Sequence, residues 1–373
     1  MNGLLKNHSM KIKELFPILE EMAPLAYAED FDNVGLLVGN SQTNVTGILV
    51  CHDALENVID EAIAKNCNLI VCFHPIIFSG LKKITGSNYV ERVVLKAIKN
   101  DIAIYAVHTA LDNHPQGVNK IFCDALGLIN TKILVPKPNF IQKLVTYTFP
   151  DNAEVVLQAL FEAGAGQIGN YTECSFSTTG IGTFKGNENS NPVLGTKGEL
   201  SQEHEIKIEV TFEKHLQSKI LKALFANHSY EEVAYSVHEL QNTHQNIGLG
   251  MIGELKTPMS ETDFLTFVKT KMQCEGIRHS EFLNKKISKV AVLGGSGSFA
   301  IANAKQAGAD VFLTADLKYH DFYQSENQLL IADIGHYESE RFTKNYIVDF
   351  LSKKITNFAI VLSEENTNPV KHF

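Results

Sequence analysis

Twice along this chain, short runs rich in β-branched residues alternate with amphipathic helical stretches, and that alternation restricts the possible folds more than any other feature. Between residues 46 and 110 the runs are GILVC (47–51), NLIVCF (68–73) and IAIYAV (102–107). They are separated by ALENVIDEAIAKN and YVERVVLKAIKN, whose apolar residues recur at intervals of three and four. Strand, helix, strand, helix in this order gives right-handed crossovers and a parallel sheet buried on both faces. The rhythm returns after Lys289 with KVAVL (289–293), ADVFLT (309–314), QLLIAD (328–333) and a last strand NFAIVLS (357–363). Each tract carries too few strands for a complete doubly wound sheet, so both ends of the chain are expected to build one α/β core domain with a parallel sheet.

From 141 to 241 the pattern changes. KLVTYTF reads as a strand and NAEVVLQALFEAG as a helix, and YTECSFS with GIGTFKG reads as a β-hairpin region. IKIEVTF is a further strand, LQSKILKALFANH a helix and VAYSVHEL a strand. This β-α-β-β-α-β order predicts an inserted ferredoxin-like α+β domain. The expected organisation is therefore 10–140 for the first half of the core, 141–241 for the insertion and 246–373 for the second half. The Asn-, Ser- and Gly-rich NENSNP (187–192) is a loop, and NTHQN (242–246) a linker.

Composition narrows the function classes. A formal net charge of −9 and a pI near 5.9 leave no broad basic surface for nucleic acid. No apolar run approaches membrane-spanning length. The six cysteines (Cys51, Cys67, Cys72, Cys123, Cys174 and Cys274) are scattered without a C-x-x-C pair, which suits free thiols in a reducing, cytoplasmic compartment. From Met10, MKIKELFPILEEM places Ile12, Leu15, Phe16, Leu19 and Met22 at helical spacing, the mark of a helix packed on a sheet. The first nine residues carry no pattern.

In an open parallel sheet, ligands bind beyond the carboxyl ends of the strands. His52 and Asp53 follow the first run, His74 and Pro75 the second, and His108, Thr109 and Asp112 the third. Asp316 and His320 follow ADVFLT; His336 and Glu340 follow QLLIAD. Strand ends far apart in sequence thus deliver imidazoles and carboxylates to one rim. His336 and Glu340, four apart at a helix start, face the same way and suit one ion or a bridged pair. Asp112 offers a carboxylate able to span two metals. His320 and Asp316 either orient a ligand or are surface polar groups beyond a strand. Gly294-Gly295-Ser296-Gly297 lacks the Lys-Ser/Thr of a phosphate loop, so a tight turn outweighs anion binding. Asp32 and Asn33 read as a cap or turn. His204, His215, His238 and His244 read as solvated.

The stretches AEDFDNVGLLVG (28–39), NLIVCFHPIIF (68–78), IYAVHTALDNHPQGVN (104–119), GAGQIGNYTECSFSTTGIGTF (164–184), NHSYEEVAY (227–235), ADVFLTADLKYHD (309–321) and ADIGHYESER (332–341) together carry a specific resemblance. From Met10 to its end the chain resembles the NIF three-like proteins, also called GTP cyclohydrolase I type II homologues, in their long bacterial form. The resemblance implies a divalent-metal site at His74, Asp112, His336 and Glu340, with one or two ions per chain. It also implies a homohexameric ring and an insertion of PII/CutA type. Phe73 stands where the family has its first histidine, and the sequence offers His108, Asp53 or a water as substitutes. Zinc suits the His and carboxylate set best, with iron or manganese as alternatives. Two functions remain open. One is a metal-dependent, GTP cyclohydrolase-like hydrolase acting on a nucleotide-like or phosphorylated small molecule, with His108 or His320 moving protons. The other is a non-catalytic metal-binding or regulatory assembly.

Overall fold

The structure is a computed structural model that describes residues 10–373. The chain forms two compact units, one made by the segments ending at Val135 and beginning at Asn246, the other by residues from Pro136 to Gln245.

The larger unit holds two sheets. The first runs in the order Gly35–Val38, Ala103–Ala106, Leu69–His74, Gly47–Asp53, Ala359–Leu362, with every neighbouring pair parallel except the Gly35–Val38 edge. Because strand side chains alternate, Ile48, Val50, Val71 and Phe73 face one core layer and Leu49, Cys51, Ile70 and Cys72 the other. Helix Ile12–Met22 buries Ile12, Leu15, Leu19 and Met22 in the first layer. Helices Glu56–Ala64 and Tyr89–Lys99 bury Val58, Ile59, Ala62, Val93, Val94 and Ala97 in the second. At about 1.5–3 kcal/mol per buried Val, Leu or Ile side chain, the two layers hold this sheet from both faces.

The second sheet runs Arg278–His279, Leu330–Asp333, Val311–Ala315, Lys286–Ser296, Gly248–Ser260, Ile129–Pro136. Its three central strands are parallel, and Arg278–His279 and Gly248–Ser260 pair antiparallel to them. The core is therefore α/β and drawn from both ends of the chain, but it contains two sheets, and the last strand crosses to the first of them. Helix Thr343–Lys354 explains the crossing: Ile347 and Leu351 are buried against the layer around Val50 and Val71, which sets Ala359–Leu362 beside Gly47–Val50.

The smaller unit has four strands in the order Ser175–Phe184, Ser201–Glu213, Ile141–Thr148, Tyr235–Glu239, all neighbours antiparallel. Helices Pro150–Glu162 and Gln217–Asn227 pack Val156, Leu160, Ile220 and Leu224 onto Leu144, Ile208 and Val210. YTECSFS and GIGTFKG do not form a hairpin with each other. One strand passes through Gly180 and Gly182, and its partner is Ser201–Glu213. A Cβ on Gly182 would meet the Glu205 carboxylate of the neighbouring strand, whereas one on Gly180 would meet nothing within 4 Å. All six cysteines are free. Among the described residues, no helix is long and apolar enough to cross a membrane.

Candidate metal centre

Register places the first half of the site. Asp53 stands opposite His74 at the carboxyl ends of two adjacent parallel strands. His74 Nδ1 lies 2.8 Å from Asp53 Oδ1, and Thr367 Oγ1 donates to the other Asp53 oxygen at 2.6 Å. A carboxylate on Nδ1 fixes the tautomer and turns Nε2 outward as a ligand atom. The second sheet repeats the device. Its strand Leu330–Asp333 turns through Gly335 into the short helix His336–Glu340, and His336 Nδ1 lies 2.7 Å from Asp316 Oδ2. Asp316 directly follows the strand Val311–Ala315 and holds a left-handed φ of 57°, a conformation that aspartate tolerates better than most residues and that gathers at functional sites.

Between these braced imidazoles lies the Glu340 carboxylate, which is 4% exposed. Its Oε2 is 3.4 Å from His74 Nε2 and 3.3 Å from His336 Nε2, and the two nitrogens are 3.4 Å apart. Oε2 is buried without a hydrogen bond. In a tetrahedral site with bonds of about 2.0–2.1 Å, ligand atoms stand about 3.3–3.4 Å apart, so this triangle has the edge lengths of one tetrahedral face. The residues therefore fit a divalent ion, and a set of two imidazoles and a carboxylate suits zinc. Gly295 makes the arrangement possible: its φ is +72°, and a Cβ there would lie 2.5 Å from Glu340 Oε1.

The charges are mutually dependent. Burial alone would drive the His74 imidazole down, but Asp53 and Glu340 outweigh it and raise the pKa to about 9. For His336 burial is likewise overcome, by the Glu340 charge and Asp316, to about 11. Burial would raise Glu340, yet the facing imidazolium of His336 holds it well below its ordinary value. Protons and an incoming ion thus compete for the same ligand atoms.

Asp112 lies on the short helix His108–Asp112, with Oδ1 buried and unpartnered. Burial and the Glu340 carboxylate push its pKa well above the usual range. Among the groups of ligand atoms close enough to share an ion, His74, His336 and Glu340 occur together, whereas Asp112 stands outside that set. His108 sits beside His74, ring centroids 5.3 Å apart, and its Nδ1 is 2.8 Å from Asp32 Oδ1. Asp32 and Asn33 thus do more than turn the chain: Asp32 braces His108, accepting also from the Thr109 amide at 3.0 Å. His320 lies in the exposed segment Tyr319–Ser325, its ring against Tyr319 and Tyr323. In the glycine turn two amides are already engaged, Gly294 donating to Asn119 Oδ1 and Gly295 to Ser339 Oγ.

Sequence reasoning set His52 on the rim but gave it no role in the site. It is 3% exposed, and its Nε2 lies 3.3 Å from Glu340 Oε2. The available signal was the pairing of two parallel strands, which sets it beside Phe73. Outside the triad opens a cavity of about 570 Å³ lined by residues that include Asp53, His74, Arg278, Asp316, His336 and Tyr337.

Comparison with known proteins places this geometry. The model of the Duf34/NIF3 (NGG1p interacting factor 3) family matches residues 10–369. A Bacillus subtilis (strain 168) protein called GTP cyclohydrolase 1 type 2 homolog is 38% identical over 371 residues, covering 97% of this chain and 98% of the relative. A Halalkalibacterium halodurans protein of the same name is 37% identical over 94% of this chain and 96% of its own length. Among solved structures, a Bacillus cereus protein related to NIF3 superposes with a TM-score of 0.82 at 37% identity, covering 98% of this chain and all of that one. With the match running through both sheets and the braced histidines, the chain belongs to the Duf34/NIF3 family.

Proposed function

We propose that this protein is a metal-dependent hydrolase of a nucleotide-like or phosphorylated small molecule, with His74, His336 and Glu340 as the ligands of one tightly held ion and Asp112 assisting. The observation that carries this assignment is the triangle of ligand atoms, braced on both sides by carboxylates and opening onto a cavity of about 570 Å³. A divalent ion held by His74, His336 and Glu340 would supply water activation and polarisation of the bond to be cut. The chain supplies the rest. His108, with Nδ1 held by Asp32, keeps Nε2 available to take and return a proton. His320, the other imidazole singled out by sequence, stands among exposed tyrosines, so its removal is expected to matter less. Arg278 lines the cavity; one of its nitrogens is engaged by Asp333 and the Leu317 carbonyl, and its remaining donors suit an anionic group on the ligand. The name of the relatives, GTP cyclohydrolase 1 type 2 homolog, agrees with a nucleotide-like substrate.

We further assign residues 141–241 to an inserted ferredoxin-like domain of PII/CutA type, on the strength of its strand order. The core then comprises 10–140 and 246–373. The assembly is assigned as a cytoplasmic homohexamer, with free thiols suited to a reducing compartment. The decisive assay is hydrolysis of a panel of nucleotides and phosphate esters by wild type, His74→Ala, His108→Ala and His320→Ala. Metal-dependent turnover lost in the first two and kept in the third supports the assignment. Ligand binding without turnover of any compound overturns it in favour of a non-catalytic regulatory assembly. Deleting 141–241 behind a short Gly/Ser bridge is expected to leave a folded, metal-binding core. Light scattering of the full chain checks the hexamer.

A further inference from the structure

His52 lacks the bracing carboxylate on Nδ1 that His74, His336 and His108 have at this rim. It is buried, and neither Nδ1 nor Nε2 has a hydrogen-bond partner. A buried imidazole that makes no hydrogen bond is costly, and native structures seldom keep one without a use. What it does have is direction, since Nε2 approaches Glu340 Oε2 to 3.3 Å, as closely as the two imidazoles of the triad.

The strand register accounts for how it comes there. Cys51 pairs with Cys72 and Asp53 with His74 in the parallel ladder, so His52 and Phe73 stand side by side on the same face, ring centroids 5.4 Å apart. Phe73 occupies the position next to His74 with a hydrocarbon ring buried in the core layer. The neighbouring strand carries an imidazole into the same space. Asp112 likewise keeps a buried Oδ1 without a hydrogen bond, and Glu340 and His74 are among the charged groups that act on it. Asp53 also lies within ligand distance of His52 and His74, but both its oxygens are engaged, by His74 and by Thr367.

Resting on the assignment of the triad as a metal site, we propose that His52 is a metal ligand that, together with Asp112, holds a second divalent cation beside the triad, with Glu340 shared between the two ions. The imidazole that Phe73 cannot provide is supplied from the adjacent strand, and one ring nitrogen of His52 and Oδ1 of Asp112 thereby gain a partner.

The test counts ions on the full-length protein. Metal-free protein is titrated with Zn²⁺ and, separately, with Co²⁺, the latter followed by its visible absorption, and bound metal is measured by elemental analysis. Wild type is expected to hold about two equivalents and His52→Phe, which keeps a ring in place, about one. The double variant His52→Phe/Phe73→His moves the imidazole one strand across and is expected to regain the second equivalent. Circular dichroism of the metal-free proteins checks that all are folded. Two equivalents retained in His52→Phe would overturn the proposal. So would a single equivalent in wild type that His52→Phe leaves unchanged and His336→Ala removes, an outcome under which the triad stands. No ion bound by folded wild type would instead overturn the triad and the second site together.

Discussion

The two sheets of the larger unit approach the metal centre with the same device and then differ in what lies behind it. Each ends a parallel strand with an imidazole whose Nδ1 meets a carboxylate, His74 with Asp53 and His336 with Asp316. Behind His74 the first sheet stacks rings: Phe73, His52 and His108 all lie within 5.6 Å of a neighbouring ring centroid. Behind His336 the second sheet removes side chains, because Gly294 and Gly295 leave room for Glu340 and for Val118. Glu340 is therefore delivered by one sheet into space that the same sheet has cleared, and its Oε2 is met there by imidazoles of the other. The position of the ion is set by where atoms are missing as much as by where ligands are present.

Removing what crosses between the sheets breaks this comparison most severely. Glu340→Ala and His336→Ala each delete an apex of the triangle, and each is expected to weaken metal binding by more than about 100-fold, beyond what loss of an orienting group costs. Elemental analysis after dialysis checks it. A full metal complement in both variants would remove His336 and Glu340 from the ligand set.

Much of this was legible in the sequence because it is local. The alternation of apolar runs and helical stretches names the strands, and residues just beyond strand ends are legible once the strands are. His336 and Glu340 share a helix face by spacing alone. What escaped depends on pairing. The bracing of His74 by Asp53 requires knowing that two parallel strands run in register. The closeness of His52 to Glu340 requires in addition that two sheets come together, which no local periodicity encodes. Separating one core into two sheets failed for a related reason: the last strand is placed by the buried face of helix Thr343–Lys354 and not by its neighbours in sequence.

Exchanging the bracing carboxylates sharpens the comparison. Asp53→Asn and Asp316→Asn leave the triangle intact but loosen the ring that each orients, and losses of about 10–100-fold in metal affinity are expected. Asp53 should matter more, because its side chain is 28% exposed against 48% for Asp316 and Thr367 holds its second oxygen. Competitive titration with a chromophoric chelator ranks the two. Equal affinities in both variants and wild type would show that the histidines are oriented by packing alone. A milder perturbation acts on the cleared side. Gly295→Ala puts a methyl group against Glu340 and forces alanine into a left-handed conformation, at a cost of about 1–2 kcal/mol in stability and about tenfold in metal affinity. Urea unfolding and the same titration read the two effects separately.

The smallest effect concerns the brace that has no counterpart in the second sheet, Asp32 beneath His108. Burial would raise the Asp32 carboxylate, but hydrogen bonds from His108 and Thr109 outweigh it and lower the pKa from 3.8 to about 2. A carboxylate depressed in the folded state stabilises above its unfolded pKa, and that contribution disappears as pH falls through the folded one. The full shift corresponds to at most about 2 kcal/mol, present above about pH 5 and roughly halved at pH 3. Metal-free Asp32→Asn should therefore be less stable than wild type by about 1–2 kcal/mol at pH 7 in urea unfolding. The gap should close progressively as pH falls below about 5. Metal affinity should hardly change, because Asp32 orients an imidazole outside the triangle. A gap that stays constant from pH 7 to pH 3 would mean that Asp32 contributes shape and not charge, leaving His108 oriented by its ring neighbours alone.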